Sequence, residues 1–376
     1  MPNSARGWRA FCAVMLAAVS IPCAVLPARA IDAIAEAYLQ QGKRSYDRWD
    51  YAAAARLFNK AARDAENTYN NKLYVAAIYH NAAQAYSKLA DVNGSYTDIK
   101  DDDLTVKFLQ SRLRDFGDPE EFGHDKVNVD ETDLELQGRK LINRSKPMAG
   151  SAESRMKMQW IAVHYLRLAL EIKETAAGAG SVEVANSMEA LALLYEKSNA
   201  RLDEAEALMR KALAIKEAAL GKTSAELAIT LYNLGMVMKT SAAGHDDQGA
   251  REGKLREAVD CYKRALSVLG ANKLGKSRLA GKCYADLSII HWGPALRDWK
   301  ASCAEFASAY DIFALDSAHR SDFAAFRQSH SLIAANAAEM AVQTFLAAKN
   351  KKGVTAAQLA ALKQKAKAAA SRAGLM

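Results

Sequence analysis

The feature that most constrains this chain is a recurring spacing of small and large residues. Between Glu204 and Glu217, Ala205 is followed by a large residue at +4, alanine at +7 and isoleucine at +10. The spacing returns in Ala162, Leu166, Ala169, Ile172 and in Ala258, Tyr262, Ala265, Val268. It recurs more loosely in Ala54, Phe58, Ala61 and in Ser302, Phe306, Ala309, Ile312. Steps of four, three and three keep one face of a helix turned toward a neighbour. Small side chains on that face let two helices approach toward the short end of the usual separation of about 8 to 10 Å. A second pattern precedes most copies. Met188, Leu191, Ala192, Tyr195 is matched by Leu231, Leu234, Gly235, Met238, by Tyr284, Leu287, Ser288, His291, by Tyr79, Ala82, Ala83, Tyr86, and by the degenerate Tyr38, Gln41, Gly42, Ser45. Each repeat is therefore a pair of helices.

Large, large, small, large followed by Ala, large, Ala resembles the tetratricopeptide repeat. The fragments Leu191–Tyr195 and Ala212–Glu217 are most similar to its longer, kinesin-light-chain-like type, and the resemblance runs from residue 34 to residue 313, interrupted by inserts. It implies an all-α fold, a right-handed α-solenoid of helix-turn-helix repeats with a long insert and C-terminal capping helices. The expected organisation is a signal peptide at 1–30, N-terminal repeat units at 31–90, an acidic insert at 91–153 that is partly disordered or a short helix, the main array at 154–313 and a helical cap with a basic Ala/Lys-rich tail at 314–376.

The N-terminal segment follows the order of a secretory signal. Arg6 and Arg9 precede an apolar run from Phe11 to Ile21, then come Pro22 and the small-x-small site Ala28-Arg29-Ala30. The run falls short of the about 20 residues that a bilayer-spanning helix needs. Cleavage after Ala30 and a secreted or periplasmic destination are expected. The full chain carries 51 Lys+Arg against 43 Asp+Glu, and removal of three arginines leaves a balance of +5 from Ile31 on, too mild to argue for nucleic acid. Half the residues are hydrophobic, which excludes a disordered chain. Beyond the signal, Cys261, Cys283 and Cys303 are an odd number, so at most one internal bridge can form; the expectation is small buried side chains.

Helix punctuation is read from Thr223-Ser-Ala-Glu226 and Thr355-Ala-Ala-Gln358 as capping boxes, Gly221 and Gly270 as helix stops, and Pro294 as the first turn of a new helix. Two inserts depart from short turns. One, between Ala90 and Ser154, carries Asp101-Asp-Asp103, Asp118-Pro-Glu-Glu121 and Asp130-Glu-Thr-Asp133, with a short helix possible from Val106 to Phe116. A smaller one is expected from Ser241 to Gly253. Neither makes a metal site: Asp91-Val-Asn-Gly-Ser-Tyr96 lacks the glycine that a calcium loop needs at its sixth position, and His245-Asp-Asp247 offers too few ligands. Phe323 to Ala348 reads as a long alanine-rich helical stretch with Phe326, Ile333, Met340 and Phe345 among its apolar residues, followed by a basic alanine helix from Val354 to Arg372.

No GxSxG elbow, Walker loop, HExxH or GxGxxG stands in the sequence. His291, near Cys283 and Cys303, occupies a core-type position held by Tyr195 and Met238 in other repeats, so it reads as packed rather than catalytic. No catalytic residue, metal or cofactor is assigned. What remains is a binding surface. In a right-handed array the first helices line the concave side, and the residue just before the second large position faces that groove: Gln40, Asn81, Ala190, Asn233 and Asp286. The resemblance implies that an asparagine here holds the backbone of an extended peptide, and Asn81 and Asn233 match, while Ala190 breaks the row. A carboxamide suits that role because it both donates and accepts. Gln84, Met236 and Lys239, one turn away, would read side chains. The expected function is a non-enzymatic scaffold or adaptor that binds a protein or peptide in its groove. Alternatives are a cell-envelope hydrolase or transferase with its site in the 91–153 insert, and a structural array whose insert fills its own groove. Lys363, Lys365 and Lys367 with Leu359 and Leu362 offer a lesser possibility of contact between the C-terminal helix and an anionic membrane surface.

Overall fold

The computed structural model describes residues 33–68, 72–91, 152–199, 201–315, 320–349 and 354–374. The expected signal segment, the 92–151 stretch with its acidic clusters and expected short helix, and the calcium-like loop after Asp91 lie outside the described residues. Among the described residues there are thirteen α-helices and no strand. They are α1 Ala33–Asp47, α2 Tyr51–Thr68, α3 Lys72–Asp91, α4 Ala152–Ala177, α5 Val182–Lys197, α6 Leu202–Leu220, α7 Leu227–Ala243, α8 Gln248–Ala271, α9 Arg278–Trp292, α10 Trp299–Leu315, α11 Arg320–Ser329, α12 Ser331–Lys349 and α13 Ala356–Arg372. The fold is all-α and of the solenoid type, with helices that pack on their neighbours in sequence. They fall into two compact units that divide between Ala219 and Leu220.

In the first unit α1 packs on α2, α2 on α3, α3 on α4 and α4 on α5. Helices α3 and α4 therefore form one repeat across the long 92–151 stretch. The small residues that define the register are buried: Ala54, Ala61, Ala162, Ala169, Ala205 and Ala212 are all withdrawn from water. Gly42 shows why its position is small, since a Cβ there would stand 2.5 Å from Cε1 of Phe58. A polar network crosses three helices inside this core. The Asn59 amide of α2 donates to the Tyr86 hydroxyl of α3 at 2.7 Å, and the Tyr165 hydroxyl of α4 donates to Asn59 Oδ1 at 2.9 Å. All three side chains are buried, so each partner removes a desolvation cost from the others. Helix α6 joins α5 through Ala212, which packs with Val184, Ala185 and Met188.

In the second unit α7 packs on α8, α8 on α9 and α9 on α10. Gly235 of α7 repeats the device of Gly42, with its absent Cβ only 2.8 Å from Cε1 of Tyr262. The last repeat helix is covered as the capping expectation requires. Phe306 and Ala309 of α10 pack with Phe326 of α11 and Ile333 and Ala334 of α12, and Phe306 and Phe326 stack at 5.5 Å. Arg372 at the end of α13 grips both oxygens of Asp311 on α10, at 2.8 and 2.9 Å.

Several boundary expectations need correction. The Thr355–Gln358 capping box forms, but that of Thr223–Glu226 does not. Residues 224–228 close into tight turns, with Leu227 N on Ser224 O, so the N-cap falls to Glu226, whose helical backbone (φ −63, ψ −30) lacks the extended geometry a capping side chain needs. Gly221 ends α6 in the left-handed region at φ 80 as expected. Gly270 does not end α8: the helix runs to Ala271, and Lys273 takes the left-handed place (φ 60) while Leu274 N bonds Leu269 O. Pro294 lies in a turn, and α10 starts at Trp299 behind Asp298, whose carboxylate accepts from Ala301 N at 3.0 Å. The expected insert from Ser241 to Gly253 shrinks to Gly244–Asp247, because Asp247 caps Ala250 N and lets α8 begin early. The Phe323–Ala348 stretch is two helices, broken at buried His330, whose Nε2 lies 3.2 Å from the Ala285 carbonyl.

Candidate functional site

The first helix of each repeat carries the expected binding residues, and each unit assembles its own set. In the first unit a cleft of about 140 Å³ is lined by Lys43, Tyr46 and Asp47 of α1, Phe58 of α2, and Asn81 and Gln84 of α3. The structure thus brings Asn81 and Gln84 together and adds a cation, an anion and two aromatic rings. Gln40 does not line this cleft; it is exposed and donates to Glu36 within α1 at 2.7 Å. Lys43, Tyr46 and Asp47 are absent from the sequence-based set. The signal for Lys43 was present, since it follows Gln40 by three residues as Gln84 follows Asn81.

One turn from Gln84 along α3, the His80 side chain is strongly desolvated. Gln84 Nε2 lies 3.0 Å from His80 Nε2. Burial first, and the nearby Lys173 ammonium second, push the His80 imidazole down to about 3, so it is neutral at ordinary pH. Its Nδ1 is buried with no hydrogen-bond partner among the described residues. Lys173 donates to Ser187 Oγ at 2.8 Å, and burial lowers it to about 8 although Glu183 pulls the other way. Next to the gap that Ala190 leaves in the row, Glu189 is closed off by an ion pair with Lys216 at 2.8 Å, with both side chains buried.

In the second unit Lys239 of α7 and Asp286 of α9 form an ion pair, and the Tyr232 hydroxyl donates to the same carboxylate at 3.0 Å. Lys282, one turn before Asp286, stands 6.0 Å from the centre of the Tyr232 ring. Burial and then the Arg278 charge lower the Lys282 ammonium. Asn233 is buried and Met236 half-buried on the same helix α7. Asp286 is thus engaged by neighbours within its own unit, a pairing that spacing along single helices could not reveal.

The thiol and imidazole neighbourhood is poorly suited to nucleophilic chemistry. All three cysteines of this region are free. Burial, with Asp286 second, pushes the Cys283 thiol up to about 12, so it stays protonated. Burial raises Cys303 as well. His291 is buried with Nδ1 2.7 Å from Glu305 Oε2, a packed and partnered side chain. No group of three or more His, Cys, Asp or Glu side chains stands together as a metal site among the described residues.

Residues 184–226, from the first turn of α5 to the residue before α7, match the tetratricopeptide repeat. Among solved structures the chain is similar to BtubC (BKLC) from P. vanneervenii, at 19% identity over 76% of this chain and 92% of that one, with a TM-score of 0.36. No curated protein matches the chain.

Proposed function

The chain is a tetratricopeptide-type repeat protein, and from that premise we propose that it is a non-enzymatic scaffold whose first helices hold an extended peptide or protein segment. Repeats of this type suggest an interaction scaffold. The observation that carries the finer reading is the shared cleft of Asn81, Gln84, Lys43 and Asp47. Two carboxamides can bridge a peptide unit without reading its side chain, and the flanking cation and anion can select charge along the segment. Asn233 and Met236 offer a second patch on α7. The order of Arg6, Arg9, the apolar run and Ala28-Arg29-Ala30 supports export before the chain acts.

A crosslinking pull-down from the native compartment, with the chain from Ile31 as bait, tests both parts. The expected result is one or more captured proteins, a signal reduced at least tenfold by Asn81→Ala and reduced by Asn233→Ala, with the helical circular dichroism unchanged. Equal capture by both variants removes these asparagines from the site. Capture of nothing by a folded bait refutes the scaffold reading and favours an array that fills its own groove. A turnover abolished by deletion of residues 91–153, with the helical signal intact, refutes the non-enzymatic assignment.

A further inference from the structure

We propose that the hairpin of α12 and α13 docks on an anionic phospholipid bilayer, lying along its surface. Helix α12 is built the wrong way round for a helix that serves only as a cap. Its buried positions are Ile333, Ala334 and Ala338, mostly small, while Leu332, Met340, Val342 and Leu346 stand in solvent. Of the ten large apolar side chains exposed among the described residues, these four share one helix, and Leu332 is 72% exposed. Leu332, Ala335, Val342 and Leu346 follow one another at steps of three, seven and four, which is one stripe on a helical surface.

The charge that the hairpin carries says what covers the stripe. Along the sequence from Ser331 to the C-terminus seven Lys and Arg stand against the single acid Glu339; Arg372 is neutralised by Asp311, and the exposed cations among the described residues of the hairpin are Lys349, Lys363, Lys365 and Lys367. Helix α13 packs on α12; it buries Ala366 and leaves Lys363, Lys365 and Lys367 exposed. A hairpin with an exposed apolar stripe on one helix and exposed lysines on the other fits a surface that is apolar at depth and anionic at its rim. A protein groove would have to supply the same anionic rim by chance. By length and composition α12 could also cross a bilayer. Its packing through Ile333 and Ala334 on Phe306 and Ala309, and the Arg372 grip on Asp311, hold the hairpin against α10 and favour lying along the surface.

The test is co-sedimentation of the full chain with vesicles of phosphatidylcholine and phosphatidylglycerol in equal parts, against phosphatidylcholine alone. It is repeated with the chain from Ile31 so that the N-terminal apolar run cannot carry the result. Binding is expected to the anionic vesicles only, and to weaken with salt. Each lysine near such a surface contributes roughly fivefold, so K363Q/K365Q/K367Q should weaken binding on the order of a hundredfold. Leu332→Asn with Leu346→Asn, both at exposed positions, should weaken it at least tenfold without a change in circular dichroism. No binding to anionic vesicles by the folded chain from Ile31 overturns the proposal, as does unchanged binding in either variant. Self-association by light scattering that L332N/L346N abolishes, without vesicle binding, overturns it in favour of a second copy of the chain.

Discussion

Replacing Gly235 by alanine adds one methyl group to the seam between α7 and α8, and the structure gives both the sign and the size of the effect. The new Cβ would stand 2.8 Å from Cε1, 3.0 Å from Cζ and 3.1 Å from Cδ1 of Tyr262. Carbon atoms settle at about 3.5 to 4.0 Å, so ring or helix must retreat by roughly 0.5 to 1 Å. The ring has little room to move: Tyr262 is wholly buried and also packs against Tyr232, with centroids 5.6 Å apart. Overpacking of this kind costs about 1 to 3 kcal/mol. Alanine returns about 1 kcal/mol through helix propensity, which leaves a net loss of up to about 2 kcal/mol. Gly253→Ala is the matched control, because that glycine is exposed within α8 and a Cβ there meets nothing within 4 Å. It should gain about 0.5 to 1 kcal/mol. Urea unfolding followed by far-ultraviolet circular dichroism reads both midpoints. A G235A midpoint at or above that of G253A would refute the idea that glycine here makes room for the tyrosine.

Ala205→Leu should lower the urea midpoint by the equivalent of about 1 to 3 kcal/mol, since Ala205 is wholly buried on α6; an unchanged midpoint would contradict the register. His80 makes stability sensitive to acid. Its folded value of about 3 lies below the unfolded 6.5, so the unfolded chain takes up a proton first and stability falls as pH drops through that window. The loss due to this group should be about 2 kcal/mol by pH 5, and His80→Leu should flatten the profile by that amount between pH 7 and 5. A profile of unchanged slope in the variant would exclude it. Glu189→Gln removes the carboxylate charge that the buried Lys216 ammonium meets at 2.8 Å and should cost about 3 kcal/mol, read from the same unfolding curves; a loss under about 1 kcal/mol would refute a strong contribution from this ion pair.

The helix register was legible because packing of small against large is encoded residue by residue. Ala205 and Ala212 had to be buried if Met209 was to lie in the seam of α6, and Ala265 if Tyr262 was to lie in that of α8, and they are. Helix ends were less legible. Thr223 and Pro294 carry the right chemistry, but whether a side chain caps depends on backbone angles that the next turn decides, and at both places tight turns intervene. At the candidate site Asn81 and Gln84 were named from their positions on one helix. Their companions Lys43, Tyr46 and Asp47 belong to another helix, and the Lys239–Asp286 pair joins two more. Such pairings depend on distances between elements, which a period along the chain does not contain. The larger side chains of α12 likewise look like core material in sequence and emerge as surface only when the helix is placed.

The partnership of α3 and α4 has a practical consequence. The two halves of that repeat are held by their own side chains, through Tyr86, Tyr165 and the Asn59 bridge, and the covalent path between them is not what keeps them side by side. Doubling the length of such a connection costs only about 0.6 kcal/mol in closure entropy. A protease cut between residues 92 and 151 should therefore yield two fragments that travel together until a denaturant parts them.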